Sequence, residues 1–418
     1  MDMTTTTASA GLAATDRGTA TARAVGQRRA SYVPPNWFAA VMGTGIIAIA
    51  AHSLPWQPAG LAQVATVFWL LACAVFGVVL VATVLHWVRD PEVARGHHAH
   101  RVVAHFYGAV PMALMTVGTS TMVVGATVIG RDLALGIDLV CWVVGTIGGV
   151  VTAVVIPYRH LIVGRASLGE AFGGWLMPVV PPMVSASAAA VLSAQLPAGW
   201  ASHVVMGIGC AMFVLAALAS LPIMWVLAAR LRAGDVGAAH MVPTWWIVLG
   251  PLGQSVTAAC LLAHVAPQVV AAPMAETLHS FAVGYGLAVW VAATLWIAVA
   301  ARLTARTLRS GMPFAMTWWA FTFPLGTYVT GSSALALTVG GTVFEVVAVA
   351  GFAVLVVAWC VVGVRTVRGV VSGELRRVPG APKRVGLSEG RGYEIPAVAG
   401  CGVCAGGCAV RQVGTSSR

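Results

Sequence analysis

From Pro35 to about residue 364 the chain is a succession of ten apolar segments, at approximately 35–52, 62–88, 104–129, 136–156, 173–193, 203–229, 244–265, 277–301, 316–338 and 343–364. Each is near or above the ~20 residues that an α-helix needs to cross a bilayer core. In hydrocarbon every backbone polar group must be satisfied internally, so only helices or closed barrels can span, and runs of this length read as helices. The sequence therefore predicts an all-α polytopic membrane protein with ten transmembrane helices. Its charged fraction agrees: 9% of residues are charged and 59% hydrophobic, with a mean hydropathy of +0.87, whereas a soluble domain carries about 25% charged residues. Glycine is abundant, at 47 of 418 residues, and small residues let membrane helices approach closely.

An even number of spans puts both termini on one side. With the N-terminus inside, Arg89, Arg95, Arg101, Arg159, Arg165, Arg230, Arg232, Arg302, Arg306, Arg309 and both basic tails are cytoplasmic, and only Arg131 is left outside. That asymmetry is the positive-inside rule. The expectation is a multi-pass protein of the plasma membrane with cytoplasmic termini, in which residues 35–365 form the helical domain. Residues 1–34 and 366–418 read as disordered cytoplasmic tails, and no apolar run near the N-terminus has the form of a cleaved signal. The net charge of +11 and pI near 9.8 are thus topology signals, and nucleic acid is not an expected partner.

The odd-numbered segments repeat one another. Their centres read FAAVMGTGI (38–46), FYGAVPMALMT (106–116), WLMPVVPPMVS (175–185), WIVLGPLGQS (246–255) and WAFTFPLGT (319–327): an aromatic, a helix breaker, then small or hydroxyl residues. The breakers Gly43, Pro111, Pro181, Pro251 and Pro324 are separated by 68, 70, 70 and 73 residues, one helical hairpin each time. Five such hairpins predict a ring in which five kinked inner helices line a central pore and five outer helices face away. In the last inner segment, Pro324 lacks an N–H and is expected to free the carbonyl of Ala320 and kink the helix. Phe323 lies beside that kink. At helical spacing Trp319, Thr327 and Thr330 share its face, which suits a constriction or, equally, an aromatic-filled packing helix.

PNWFAAVMGTGI (35–46), WWAFTFPLGTYVTGSSALA (318–336) and the fivefold hairpin pattern resemble the tellurite-resistance/dicarboxylate transporter family. That superfamily includes malate permeases, sulfite efflux pumps and plant slow anion channels, and the resemblance covers about residues 33–365. It implies five inner and five outer helices, a homotrimer with one pore per subunit, and an inner-helix phenylalanine that occludes the pore, a role that falls on Phe323. MGTG in the first segment looks more like the sulfite-pump and malate-permease branches. Neither tail takes part in the resemblance.

No Lys, Arg, Asp or Glu occupies the middle of a predicted span; Glu276, His279 and Glu345 sit near outer ends. An intramembrane charge would mark a proton relay or counter-ion site, so a neutral pore is expected, with small anions met by the hydroxyls of Thr44, Thr116, Ser185, Ser255, Thr327 and Thr330 and by half-helix dipoles. Taken singly, each hydroxyl is equally a packing group. No catalytic constellation, metal site or cofactor is expected. His97, His98 and His100, with Asp90 and Glu92, have the chemistry to bind a metal or sense pH, but such a run more often is a solvated loop. Cys401, Cys404 and Cys408 have CxxC spacing but lack a fourth zinc ligand, and Cys73, Cys141, Cys210, Cys260 and Cys360 read as apolar filler. Three function classes remain: an anion channel or exporter; a proton-coupled C4-dicarboxylate carrier, for which only Glu276, His279 and Glu345 are titratable; and a membrane enzyme or sensor, which lacks a clustered site.

Overall fold

A computed structural model describes residues 33–375, and among these residues there are helices and connections but no strand. Ten of its helices run to twelve residues or more. They are α1 (Phe38–Ser53), α2 (Leu61–Arg89), α3 (Ala109–Ser120), α4 (Arg131–Pro157), α5 (Pro181–Gln195), α6 (Trp200–Arg232), α7 (Leu249–Val269), α8 (Ala272–Arg309), α9 (Phe323–Val339) and α10 (Thr342–Val371). The two tails, with Cys401, Cys404 and Cys408, lie outside the described residues except at their edges.

Seven helical segments are long and apolar enough to cross a membrane: Leu61–Arg89, Val103–Ile129, Arg131–Val163, Trp200–Arg232, Ala239–Val269, Ala272–Arg309 and Thr342–Val371. The other three, α1, α5 and α9, have 16, 15 and 17 residues. Non-helical residues, 177–180 and Thr322, part α5 and α9 from the 3₁₀ stretches before them, and α1 has only three 3₁₀ residues ahead of it. Tight 3₁₀ stretches at Pro35–Trp37, Val103–Gly108, Gly173–Leu176, Ala239–Val248 and Met316–Phe321 precede α1, α3, α5, α7 and α9.

This changeover corrects the expected mid-helix kinks. Pro111 is the third residue of α3, Pro181 the first of α5, Pro251 the third of α7 and Pro324 the second of α9. First-turn N–H groups have no partner within their own α-helix, so a proline there costs no helical bond and its fixed φ helps to start the helix. Gly43 differs again, because it sits inside the unbroken α1 and the change of helix type comes at Trp37–Phe38. A Cβ on Gly43 would lie 2.1 Å from Thr322 Oγ1 and 2.8 Å from Trp319 Cε3. Glycine is there because the start of α9 is pressed against α1.

Each hairpin packs its two helices together, α1 on α2 through to α9 on α10. The odd helices also touch in sequence, α1 to α3, α3 to α5, α5 to α7 and α7 to α9, and α9 returns to α1. At the tightest of these crossings a Cβ on Gly253 would sit 2.7 Å from the backbone of Thr327 and Tyr328. The even helices wrap this ring and are tied to it by indole N–H groups. Trp69 of α2 donates to Thr121 just past α3 (2.9 Å), Trp142 of α4 to the Ser185 carbonyl of α5 (3.1 Å), and Trp290 of α8 to Ser332 of α9 (2.9 Å). Trp359 of α10 donates to Thr44 of α1 (2.9 Å), so the last hairpin closes on the first. Each such buried bond contributes about 1 kcal/mol net. The outer faces are apolar and open: only 17% of the most apolar stretch of α8 is buried, against 83% in the segment that holds α7. Exposed apolar surface on that scale belongs against lipid.

Candidate functional site: two cavities and the ring between them

Each odd helix turns one stripe of side chains toward the centre of the ring. On α1 the stripe is Ala39, Met42, Ile46 and Ile49; on α3 it is Met112, Thr116 and Thr119. It continues as Val184, Ser187 and Val191 on α5, as Gly250, Gln254, Thr257 and Leu261 on α7, and as Phe323, Thr330, Ala334 and Leu337 on α9. Steps of three and four keep such residues on one helix face. The stripes enclose two cavities. The smaller, about 30 Å³, lies at the level of the 3₁₀ stretches and the first turns of α3, α7 and α9, and holds one or two waters at most. The larger, about 590 Å³, runs along the other half of the helices to Leu54, Gln57 and Gln195 at the opposite end.

Phe323 alone belongs to the walls of both. The residue is 5% exposed. No Asp, Glu, Lys or Arg lines either cavity, and the only titratable groups are His52 and His264 in the larger one. Beyond Phe323 the larger cavity carries a polar collar. Gln254 Nε2 donates to Ser187 Oγ, and the hydroxyls of Thr257 and Thr330 are 2.9 Å apart. Thr116 and Thr119 complete the collar, while Gln254 Oε1 is buried without a hydrogen-bond partner. A ring that parts two neutral cavities, with weak polar groups on one side of it, is suited to admitting and releasing ions rather than holding them.

Of the six hydroxyls expected along a pore, the structure brings Thr116 and Thr330 to the cavity. Thr44 faces away and accepts from Trp359. Ser185 is turned to α4, 2.6 Å from Thr146 Oγ1. Ser255 donates to the Leu252 carbonyl, and Thr327 bonds the Leu249 and Pro324 carbonyls across the α7–α9 crossing. The side chains that take their place, Thr119, Ser187, Gln254 and Thr257, were missed for one reason. Aligning the repeats on their breakers fixes the position along each helix but not its rotation, and at 100° per residue a shift of two positions turns Ser185 or Ser255 to nearly the opposite face. Trp319 lines the smaller cavity, but its indole donates to Thr366 of α10, because the backbone leaves helical register at Thr322.

Two further expectations change. Asp138, in the second turn of α4, is wholly buried, with Gly118 of α3 close against Oδ1, and neither carboxylate oxygen has a hydrogen-bond partner. A charge-capable group therefore lies inside the helical core, although it lines neither axial cavity. The histidine loop is packed in part: His97 is buried and stacks on His86 at 5.2 Å and His98 stacks on Tyr107 at 4.3 Å, while Glu92 and His100 are exposed, with His100 Nδ1 accepting from the Val102 and Val103 amides. Burial, and after it neighbouring histidines, lowers the His97 pKa to about 4. Among the described residues no group of three metal-ligating side chains converges.

An apolar helical ring with a neutral axial passage defines a membrane transport protein. Residues 32–367 match the SLAC1 family model, described as voltage-dependent anion channel, and the chain belongs to that family. It is 29% identical over 349 residues to an uncharacterized transporter of Methanocaldococcus jannaschii, covering 81% of this chain and 95% of that protein. It is also 26% identical over 339 residues to a sulfite efflux pump of Arthroderma otae, covering 80% and 89% of the two chains. A sulfite efflux pump of Trichophyton rubrum is 25% identical over 352 residues, covering 82% and 92%. The family and these relatives are channels and transporters, not enzymes, and anion transport across a membrane is the class of activity.

Proposed function

We propose that the protein conducts small anions out of the cytoplasm along the axis of the five odd helices, with Phe323 as the gate. The observation that carries this reading is that Phe323 alone borders both axial cavities, whose walls bear no formal charge. The same reading makes ten spans of the ten long helices. The 17 residues of α9 rise ~26 Å at 1.5 Å each, and the six-residue 3₁₀ stretch before it adds ~12 Å at 2.0 Å each. Together they exceed the ~30 Å hydrocarbon core. Five hairpins then leave both termini on the cytoplasmic side of the plasma membrane, with the arginines of α2, α6, α8 and α10 in their last turns on that side. A homotrimer with a pore in each subunit follows from the resemblance. Arginine at the inner mouth raises the local anion concentration.

Sulfite is the first substrate to test, since two of the similar proteins are sulfite efflux pumps; malate and other C4-dicarboxylates are the second. A cavity of about 590 Å³ accommodates either. Proteoliposome flux of sulfite, malate, nitrate and chloride, with and without an imposed pH gradient, is the test. Conduction of one or more anions without need of the gradient is expected; strict dependence on the gradient would overturn the channel reading. The alternative, a proton-coupled dicarboxylate carrier, has one observation in its favour, the buried Asp138 carboxyl beside the ring. Orientation has its own test. A cysteine replacing Ser53 should react with a membrane-impermeant maleimide in intact cells, and one replacing Arg309 should not.

A further inference from the structure

A third cavity, of about 470 Å³, lies off the axis, between the residues that lead into α3, those that follow α4 and those that precede α5. Its lining is unlike that of the axial pair. Arg101 and Arg159 lie on its wall with His98, His105 and His160, and its single carboxylate, Glu170, is paired with Arg101. Phe172 and Trp175 supply an apolar side, and the His105 ring lies parallel to Trp175. His105 is 3% exposed, and its ring centroid is 5.0 Å from that of His160. His105 Nδ1 and His160 Nε2 are both buried, and the two rings lie beside the backbone carbonyls of Arg101 and His98. Each imidazole has one donor and one acceptor nitrogen when neutral, so a ring that meets one carbonyl still has a second nitrogen to offer a ligand in this basic cavity.

We propose that this cavity is a second anion site, separate from the pore, that binds a phosphate group carried either by free phosphate or by an anionic lipid head group. The chemistry of the wall selects that group. Arg159 offers a planar fork matched to two phosphate oxygens, and the two imidazoles reach the remaining oxygens from the buried side. Arg101 and Glu170 are 68% and 43% exposed at the side chain, so the phosphate can take over Arg101 at the rim. Basic pockets between helices at the cytoplasmic boundary are also where lipid phosphate is met. The other groups that face the two imidazoles are His98, Arg101, Arg159 and Glu170. Burial first, and then the charge of Arg159, lowers the His98 pKa.

The test is binding of inorganic phosphate to the full chain in detergent, followed by calorimetry at pH 8 and pH 6. Affinity is expected to fall about tenfold or more at both pH values in Arg159→Gln and in His160→Gln, both at partly or fully exposed positions. Phosphatidylcholine nanodiscs with and without phosphatidic acid separate the sources: if the lipid head group occupies the site, phosphatidic acid abolishes phosphate binding, and if free phosphate does, binding persists. No phosphate binding at pH 6, or binding unchanged in both variants, overturns the proposal. Because the readout is binding, loss of anion flux with phosphate binding intact refutes the transport reading alone.

Discussion

Phe323→Ala is the substitution that most directly tests the axial arrangement. Phe323 is 5% exposed and is the only wall residue shared by cavities of about 30 and 590 Å³. Removing its ring vacates room for about three waters, at ~30 Å³ each, and joins the two volumes. An ion at an apolar neck must shed hydration without a replacement partner, at a cost of several kcal/mol. If the water admitted by the alanine removes ~3 kcal/mol of that barrier, flux rises roughly 100-fold. Selectivity should loosen at the same time, since the neck no longer forces dehydration. The stability cost is ~3 kcal/mol, the low end for Phe→Ala, because the ring borders open volume on two sides and forfeits fewer contacts than a packed core ring. Phe321→Ala is the control. That half-buried ring meets Trp246 and Trp318 edge-on at 5.7 and 5.6 Å, so it should lose ~0.5–1.5 kcal/mol for each aromatic pair and leave flux unchanged. The assay is proteoliposome anion efflux, with protein folding checked by thermal unfolding in detergent. Unchanged or reduced flux in folded Phe323→Ala would refute the gate and make the ring a ligand-shaping group, which favours a carrier.

Gly43→Ala should lower stability by about 1–3 kcal/mol through overpacking, because its methyl would fall 2.1 Å from Thr322 Oγ1; an unchanged unfolding temperature would show that α1 and α9 are not pressed together there. Thr44→Val should cost ~1 kcal/mol by removing the acceptor for Trp359 and leave the anion preference untouched, whereas Thr330→Val and Gln254→Leu, on the cavity wall, should change the preference in a competitive flux panel. Asp138→Ala should raise stability by about 1–3 kcal/mol, since it deletes a buried polar group without partners; a loss of stability on thermal unfolding would show that the carboxyl is held by a bond the fold needs.

That the chain is all helical and apolar enough to cross a membrane was legible in its sequence, and how its helices are rotated was not. Ten apolar segments, arginine on one side of them and a breaker about every 70 residues are one-dimensional patterns imposed by hydrocarbon thickness and by hairpin length. They were enough to mark the odd helices as a set and Phe323 as the residue to watch. Which hydroxyls reach the cavity depends on the turn of each helix about its own axis, and that is fixed by packing. Thr44 turns outward because the Trp359 indole needs an acceptor, and Thr327 turns to α7 because Gly253 lets the two backbones meet. Thr119, Ser187, Gln254 and Thr257 face the cavity as the complement of those contacts. Proline shows the same division: its position in the sequence announces a break, but only the tertiary structure makes that break the start of an α-helix after a 3₁₀ stretch rather than a kink within one. Asp138 and the His105–His160 pair carry no periodic signal at all, because a single polar residue becomes buried only when a neighbouring helix or connection closes over it.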